Sequence, residues 1–143
     1  MTELDGRDLV LACLAAAGES SYEPVQIQKT LFLFQNRGLG QEIFQFVPYD
    51  YGPFDPTVYR TLEDLATDGL VEIRDSPFDR YRTYRLSPEG RVAGQATLEK
   101  LPEAKRDFLV RLSQWVRKRS FSELVGAIYK AYPEMKVNSV FRG

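Results

Sequence analysis

The chain has 143 residues, 43% of them hydrophobic and 13% aromatic, which suits one domain with a real core. It contains no histidine and one cysteine, excluding imidazole-based catalysis, His/Cys zinc sites, Cys–His nucleophiles and an internal disulfide. The net charge of −1 conceals an asymmetry: residues 1–70 carry −7 and residues 71–143 carry +6. Such a split points either to a polyanion partner or to two halves that face each other.

No apolar run reaches the roughly 18 residues that a membrane span requires. The start, Met1-Thr2-Glu3-Leu4-Asp5, is acidic where a signal peptide is basic. The expectation is a soluble cytoplasmic protein without catalytic residues, metal or cofactor.

The first helix is expected from Gly6 to Ala17, opened by Asp5 and closed by Gly18. Leu9, Val10, Cys13, Leu14 and Ala17 form its buried stripe, which makes Cys13 a core residue. A second helix begins at Pro24, presents Ile27, Leu31 and Phe34, and ends before Arg37-Gly38-Leu39-Gly40. Ile43 to Tyr49 reads as an edge strand, followed by an aromatic turn, Tyr49-Asp50-Tyr51-Gly52-Pro53-Phe54.

Asp55-Pro56 opens a third helix with Val58, Leu62 and Leu65 on its apolar face, and Gly69 stops it. Leu70 to Arg74 and Tyr81 to Leu86 read as the two arms of a hairpin around a tip at Asp75-Ser76-Pro77-Phe78-Asp79. Ser87-Pro88 opens a fourth helix, and a fifth follows Pro102 with Phe108, Leu109, Leu112, Trp115 and Val116 on one face. Ser120 and Glu123 form a capping box for a sixth, which Pro133 ends, leaving Glu134 to Gly143 as an irregular tail. The fold expected is mainly α with a small β wing. It is a winged helix-turn-helix core over 1–92, with a C-terminal helical extension over 93–143 in the same compact domain.

The run Ile27-Gln28-Lys29-Thr30-Leu31-Phe32-Leu33, the turn Tyr51-Gly52-Pro53-Phe54 and the exit Tyr84-Arg85-Leu86-Ser87-Pro88-Glu89-Gly90 carry a resemblance. Over about residues 20–92 the chain resembles the winged-helix proteins related to the SocA-like antitoxin (Panacea) domain and the YwgA-type proteins. The Tyr-Gly-Pro-Phe turn is its most specific element; the exit is shared with other winged-helix regulators, including PadR-like ones. The tail Tyr129-Lys130-Ala131-Tyr132-Pro133-Glu134 resembles the YwgA-type end and departs from the antitoxin pattern. The resemblance implies a non-enzymatic module that binds DNA or a protein, and it carries no catalytic residue.

Two sites follow. Arg74, Arg80, Arg82 and Arg85, interleaved with aromatic residues on the wing, are suited to phosphate contacts with duplex DNA. Tyr49, Tyr51, Phe54 and Arg60 form the alternative, a partner-binding surface shared by the aromatic turn and the helix after it. That helix holds Asp55, Glu63, Asp64 and Asp68 against Arg60 alone, which repels phosphates where a winged helix ordinarily reads a major groove. The resemblance implies that Lys29 and Arg60 lie beside the turn, to bind an anion or to pair with Asp50 or Asp55. The function read first is a DNA-binding transcriptional regulator, a homodimer through the C-terminal helices. The alternative is a protein-partner module, such as an antitoxin or adaptor, using the acidic helix and the Tyr-Gly-Pro-Phe turn.

Overall fold

The computed structural model describes residues 4–75 and 82–141. Arg80 and the tip of the second hairpin, expected to lead the wing's phosphate contacts, lie outside the described residues. Within them the chain is mainly helical. Its order is α1 (Gly6–Ala16), α2 (Pro24–Phe34), β1 (Val47–Tyr49), β2 (Gly52–Phe54), α3 (Pro56–Thr67), β3 (Val71–Asp75), β4 (Arg82–Leu86), α4 (Pro88–Glu99), α5 (Glu103–Lys118) and α6 (Phe121–Ala131).

The helices begin where their caps direct. The Asp5 carboxylate accepts from Asp8 N at 2.8 Å, Asp55 from Thr57 N at 2.8 Å and Ser87 Oγ from Gly90 N at 3.0 Å. Ser120 and Glu123 complete a reciprocal capping box on α6. α1 packs chiefly on α4, and α2 packs on α5. One buried cluster joins Leu9 and Leu14 of α1, Ile27 and Leu31 of α2, Leu62 of α3, Leu109 of α5 and Leu124 of α6. The apolar face of α5 is thereby covered by the same chain: Leu109, Leu112 and Val116 are buried, and Trp115 is the exposed remainder of that face.

α2 is buried on every side from Ile27 to Phe34, including the polar Gln28, Lys29 and Thr30. Its end departs from expectation. The chain does not stop before Arg37 but continues as a π turn, Gln35–Leu39, until Gly40 at φ +72° turns it away.

The expected strand Ile43–Tyr49 is paired only from Val47 onward. Side chains satisfy the backbone before that point: Gln35 Oε1 accepts from Ile43 N (3.0 Å) and Phe44 N (2.8 Å), and Asp55 accepts from Gln45 N (2.8 Å). Those amides have no need of a neighbouring strand. The stretch Gly52–Phe54, read from sequence as part of a turn, is the partner strand, antiparallel to β1 with Pro48 opposite Pro53. Neither proline has an N–H, so that pair exchanges no ladder bonds and the hairpin stays short.

β3 and β4 pair antiparallel, with Ile73 opposite Tyr84 and Val71 opposite Leu86 on the core side. Tyr22, between α1 and α2, exchanges both backbone hydrogen bonds with Tyr84 at 2.9 Å, adding a single-residue third strand. The tail is not irregular throughout. Pro133–Lys136 is a 3₁₀ turn, after which Val140 N donates to Asp50 O at 2.9 Å and Asn138 Nδ2 to Pro48 O at 3.2 Å. Among the described residues, no helix is long and apolar enough to cross a membrane, and no cluster of His, Cys, Asp or Glu is arranged to hold a metal.

Candidate functional site

The β1–β2 hairpin, the first half of α2, Tyr59 of α3 and Phe121 of α6 enclose an open cavity of about 500 Å³. Its position follows from three anchors. Gln28 and Asp55 exchange two hydrogen bonds, Gln28 Nε2 to Asp55 O (2.9 Å) and Asp55 N to Gln28 Oε1 (3.1 Å), which tie the start of α3 to α2. Lys29 Nζ donates to Pro53 O at 3.1 Å, which ties β2 to α2. From outside, Ser139 Oγ donates to Asp50 O at 3.2 Å and accepts from Tyr129 Oη at 2.6 Å, so the tail and α6 brace the turn.

Gly52 is required at the bend. Its φ of +106° disfavours any side chain, and a Cβ there would lie 3.4 Å from Tyr129 and 3.5 Å from Lys29 Cε.

Aromatic rings form the walls. Tyr49 stacks on Phe54 at 4.8 Å between centroids, Tyr51 meets Phe121 edge-on at 5.0 Å, and Phe54 leans on Tyr59 at 5.7 Å. Tyr59 in turn stacks on Tyr84 at 6.3 Å, so a file of rings leads from the cavity to the β3–β4 hairpin. Tyr49 and Tyr51 remain 52% and 44% exposed, unusually open for residues in such contact. At the base lies Lys29, only 3% exposed. Burial pushes its ammonium down to about 8 from the ordinary lysine value. It pairs with neither Asp50 nor Asp55: no carboxylate of the described residues is within ion-pair distance of it.

Of the partner-binding residues expected from sequence, Tyr49, Tyr51 and Phe54 converge on this cavity. Arg60 does not; it is exposed on α3 and donates to Thr57 Oγ1 at 3.0 Å. The sequence reading missed Tyr59 and Phe121 as walls. Phe121 carries no local signal, because α6 brings it in from elsewhere in the chain; Tyr59, in the first turn of α3 just after Phe54, was within reach of the reading.

The described wing arginines are separated. Arg82 lies on the Tyr84 side of β4 and pairs with Asp75 (3.0 Å) and Glu63 of α3 (3.7 Å). Arg85, on the opposite side, pairs with Glu72 at 2.8 Å. Arg74 is exposed opposite Thr83. Three of the four acidic residues on or capping α3 are also engaged: Asp55 is a buried cap, Glu63 faces Arg82, and Asp68 meets Arg7 at 2.7 Å, while Asp64 is exposed. A second buried polar cluster, Tyr22 Oη with Cys13 O (3.0 Å) and Ser113 Oγ, is closed to solvent, and burial pushes the Cys13 thiol up to about 12. No family model and no curated protein matches the chain.

Proposed function

We propose that the chain is a non-enzymatic winged-helix module that binds a protein partner, seating an apolar segment of it in the cavity at the Tyr51–Phe54 turn. The observation that carries this reading is the convergence of exposed Tyr49 and Tyr51 with Phe54 around an open aromatic cavity. Pockets of this size with rigid aromatic walls and few polar groups are characteristic recognition sites. The winged-helix part is supported by the Tyr22–Tyr84 bridge. With it the order is helix, strand residue, helix, the inserted β1–β2 hairpin, helix and hairpin, as in a winged helix whose first strand is reduced to one residue and whose second and third helices are separated by an insertion.

Duplex DNA, the ligand read first from the sequence, becomes the second reading here, because the wing pairing favours the partner over it. Arg82 and Arg85 already face carboxylates, so phosphate contacts there would first have to break those pairs.

The test compares the intact chain with a Tyr49→Ala, Tyr51→Ala double variant by amide chemical-shift mapping. The probes are short acetylated alanine peptides ending in phenylalanine and, separately, a random-sequence DNA duplex at two salt concentrations. The reading expects peptide shifts on α2 and the β1–β2 hairpin, weakened about tenfold or more by the double variant, as loss of two aromatic contacts implies. Salt-sensitive duplex binding mapped to β3–β4, with no peptide shifts, overturns it.

A further inference from the structure

Lys29 is costly where it stands. It is the charged residue in the buried stretch of α2, it has three N–H donors, and Pro53 O is its acceptor among the described residues. Holding that one carbonyl does not require a charge, since a neutral amide donor serves a neutral acceptor equally well. A buried ammonium facing an open cavity of aromatic walls is complementary to something negative that arrives with its own apolar surface.

The rim narrows the choice. Glu23 is exposed and Asp50 half-buried at the mouth, so a polyanion meets two carboxylates before it reaches the cation. A single negative charge on an apolar body passes between them with the least repulsion, and its ring or alkyl part fits against Tyr49, Tyr51 and Phe54.

We infer that Lys29 is a carboxylate receptor and that the cavity takes a monocarboxylate on an apolar body, which, on the partner reading above, is the C-terminal end of a polypeptide with an apolar last residue. The ammonium supplies the charge-assisted bond, the aromatic walls take the last side chain, and the acidic rim favours a basic residue just upstream.

The experiment is calorimetric titration of the full chain with two matched pairs: an acetylated alanine peptide ending in phenylalanine as free acid or as amide, and hydrocinnamate or hydrocinnamide. Each acid is expected to bind at least about tenfold more tightly than its amide, the scale of one charge-assisted hydrogen bond. Lys29→Met is expected to abolish that preference and Lys29→Arg to retain part of it. The wild-type acid–amide comparison decides the matter even where a variant fails to fold.

Acid and amide binding equally overturns the inference, and equal binding of the two peptides does so while leaving the partner reading in place. Binding of hydrocinnamate but of neither peptide upholds the carboxylate receptor and overturns the partner reading. No binding by any probe overturns both.

Discussion

Lys29 gives the cavity its chemistry and also links it to pH. With the folded value near 8 and the unfolded value near 10.5, the folded state sheds this proton over a range in which the unfolded state keeps it. The Lys29 contribution to stability therefore rises with pH across that window and is flat, at its least favourable, below it. At about 1.4 kcal/mol per unit, the buried charge costs roughly 3 kcal/mol at neutral pH. Cys13 acts oppositely: its raised thiol stays protonated in the folded state above pH 9, where the unfolded thiol ionises, so its contribution falls there. Subtracting Lys29→Met from wild type isolates the lysine. Urea unfolding at a series of pH values is expected to show Lys29→Met more stable at pH 7, with its advantage vanishing by about pH 10; a pH-independent difference contradicts the assignment. A bound carboxylate reverses the sign, so hydrocinnamate affinity is expected to be full below about pH 8 and to decline above it.

Lys29 also marks the limit of what was readable in the chain. A mid-helix lysine beside an apolar stripe ordinarily points to solvent. Here α2 is enclosed by α5, β2 and α1 together; its apolarity points to a central helix, but not to burial of its polar residues Gln28, Lys29 and Thr30 as well. Tyr49, Tyr51 and Phe54 were legible as a surface because they are neighbours in sequence.

Among the elements, the helices were legible because their caps are local chemistry: Asp5, Pro24, Asp55-Pro56, Ser87-Pro88 and Ser120 each open one. The β1–β2 hairpin was not, since side chains of Gln35 and Asp55 from distant positions replace the ladder that Ile43 to Gln45 would have formed. The tail was illegible for the same reason, its order resting on Asp50.

One element shows why an exit motif ends in glycine. Gly90, in the first turn of α4, leaves room for the Leu70 carbonyl, which also accepts from Ser87 N at 3.0 Å; a Cβ would come within 1.8 Å of that oxygen. Gly90→Ala is expected to cost upwards of about 2 kcal/mol, despite alanine's better helix propensity. Thermal unfolding decides this, and a neutral or stabilising result refutes the close approach of α4 to the Leu70 carbonyl. Gly94, whose Cβ would meet the Leu86 side chain at 2.8 Å and Leu11 O at 3.1 Å, is a milder case because its shortest contact is with a side chain that can yield.

Across the molecule, the charge asymmetry is partly resolved internally. Arg82–Glu63 and Arg91–Glu19 join the basic second half to the acidic first half. These pairs are solvent-exposed, so they orient the hairpin and α4 and add little stability. The described wing arginines Arg82 and Arg85 are thus paired mainly within their own hairpin, with Arg82 also reaching Glu63 of α3, and the surface left open between α2, α3 and α6 is aromatic. An Arg82→Ala, Arg85→Ala variant is expected to keep wild-type peptide binding in the same titration; loss of that binding would move the site to the hairpin.

The most direct test follows the Lys29 side chain itself, by carbon-13 labelling of lysine and pH titration of its Cε resonance, alone and with saturating hydrocinnamate or hydrocinnamide. Lys29 is expected to titrate near pH 8 in the free protein, to move upward with the acid and not to move with the amide. A Lys29 that titrates like an exposed lysine, or that ignores the acid, contradicts the carboxylate-receptor assignment.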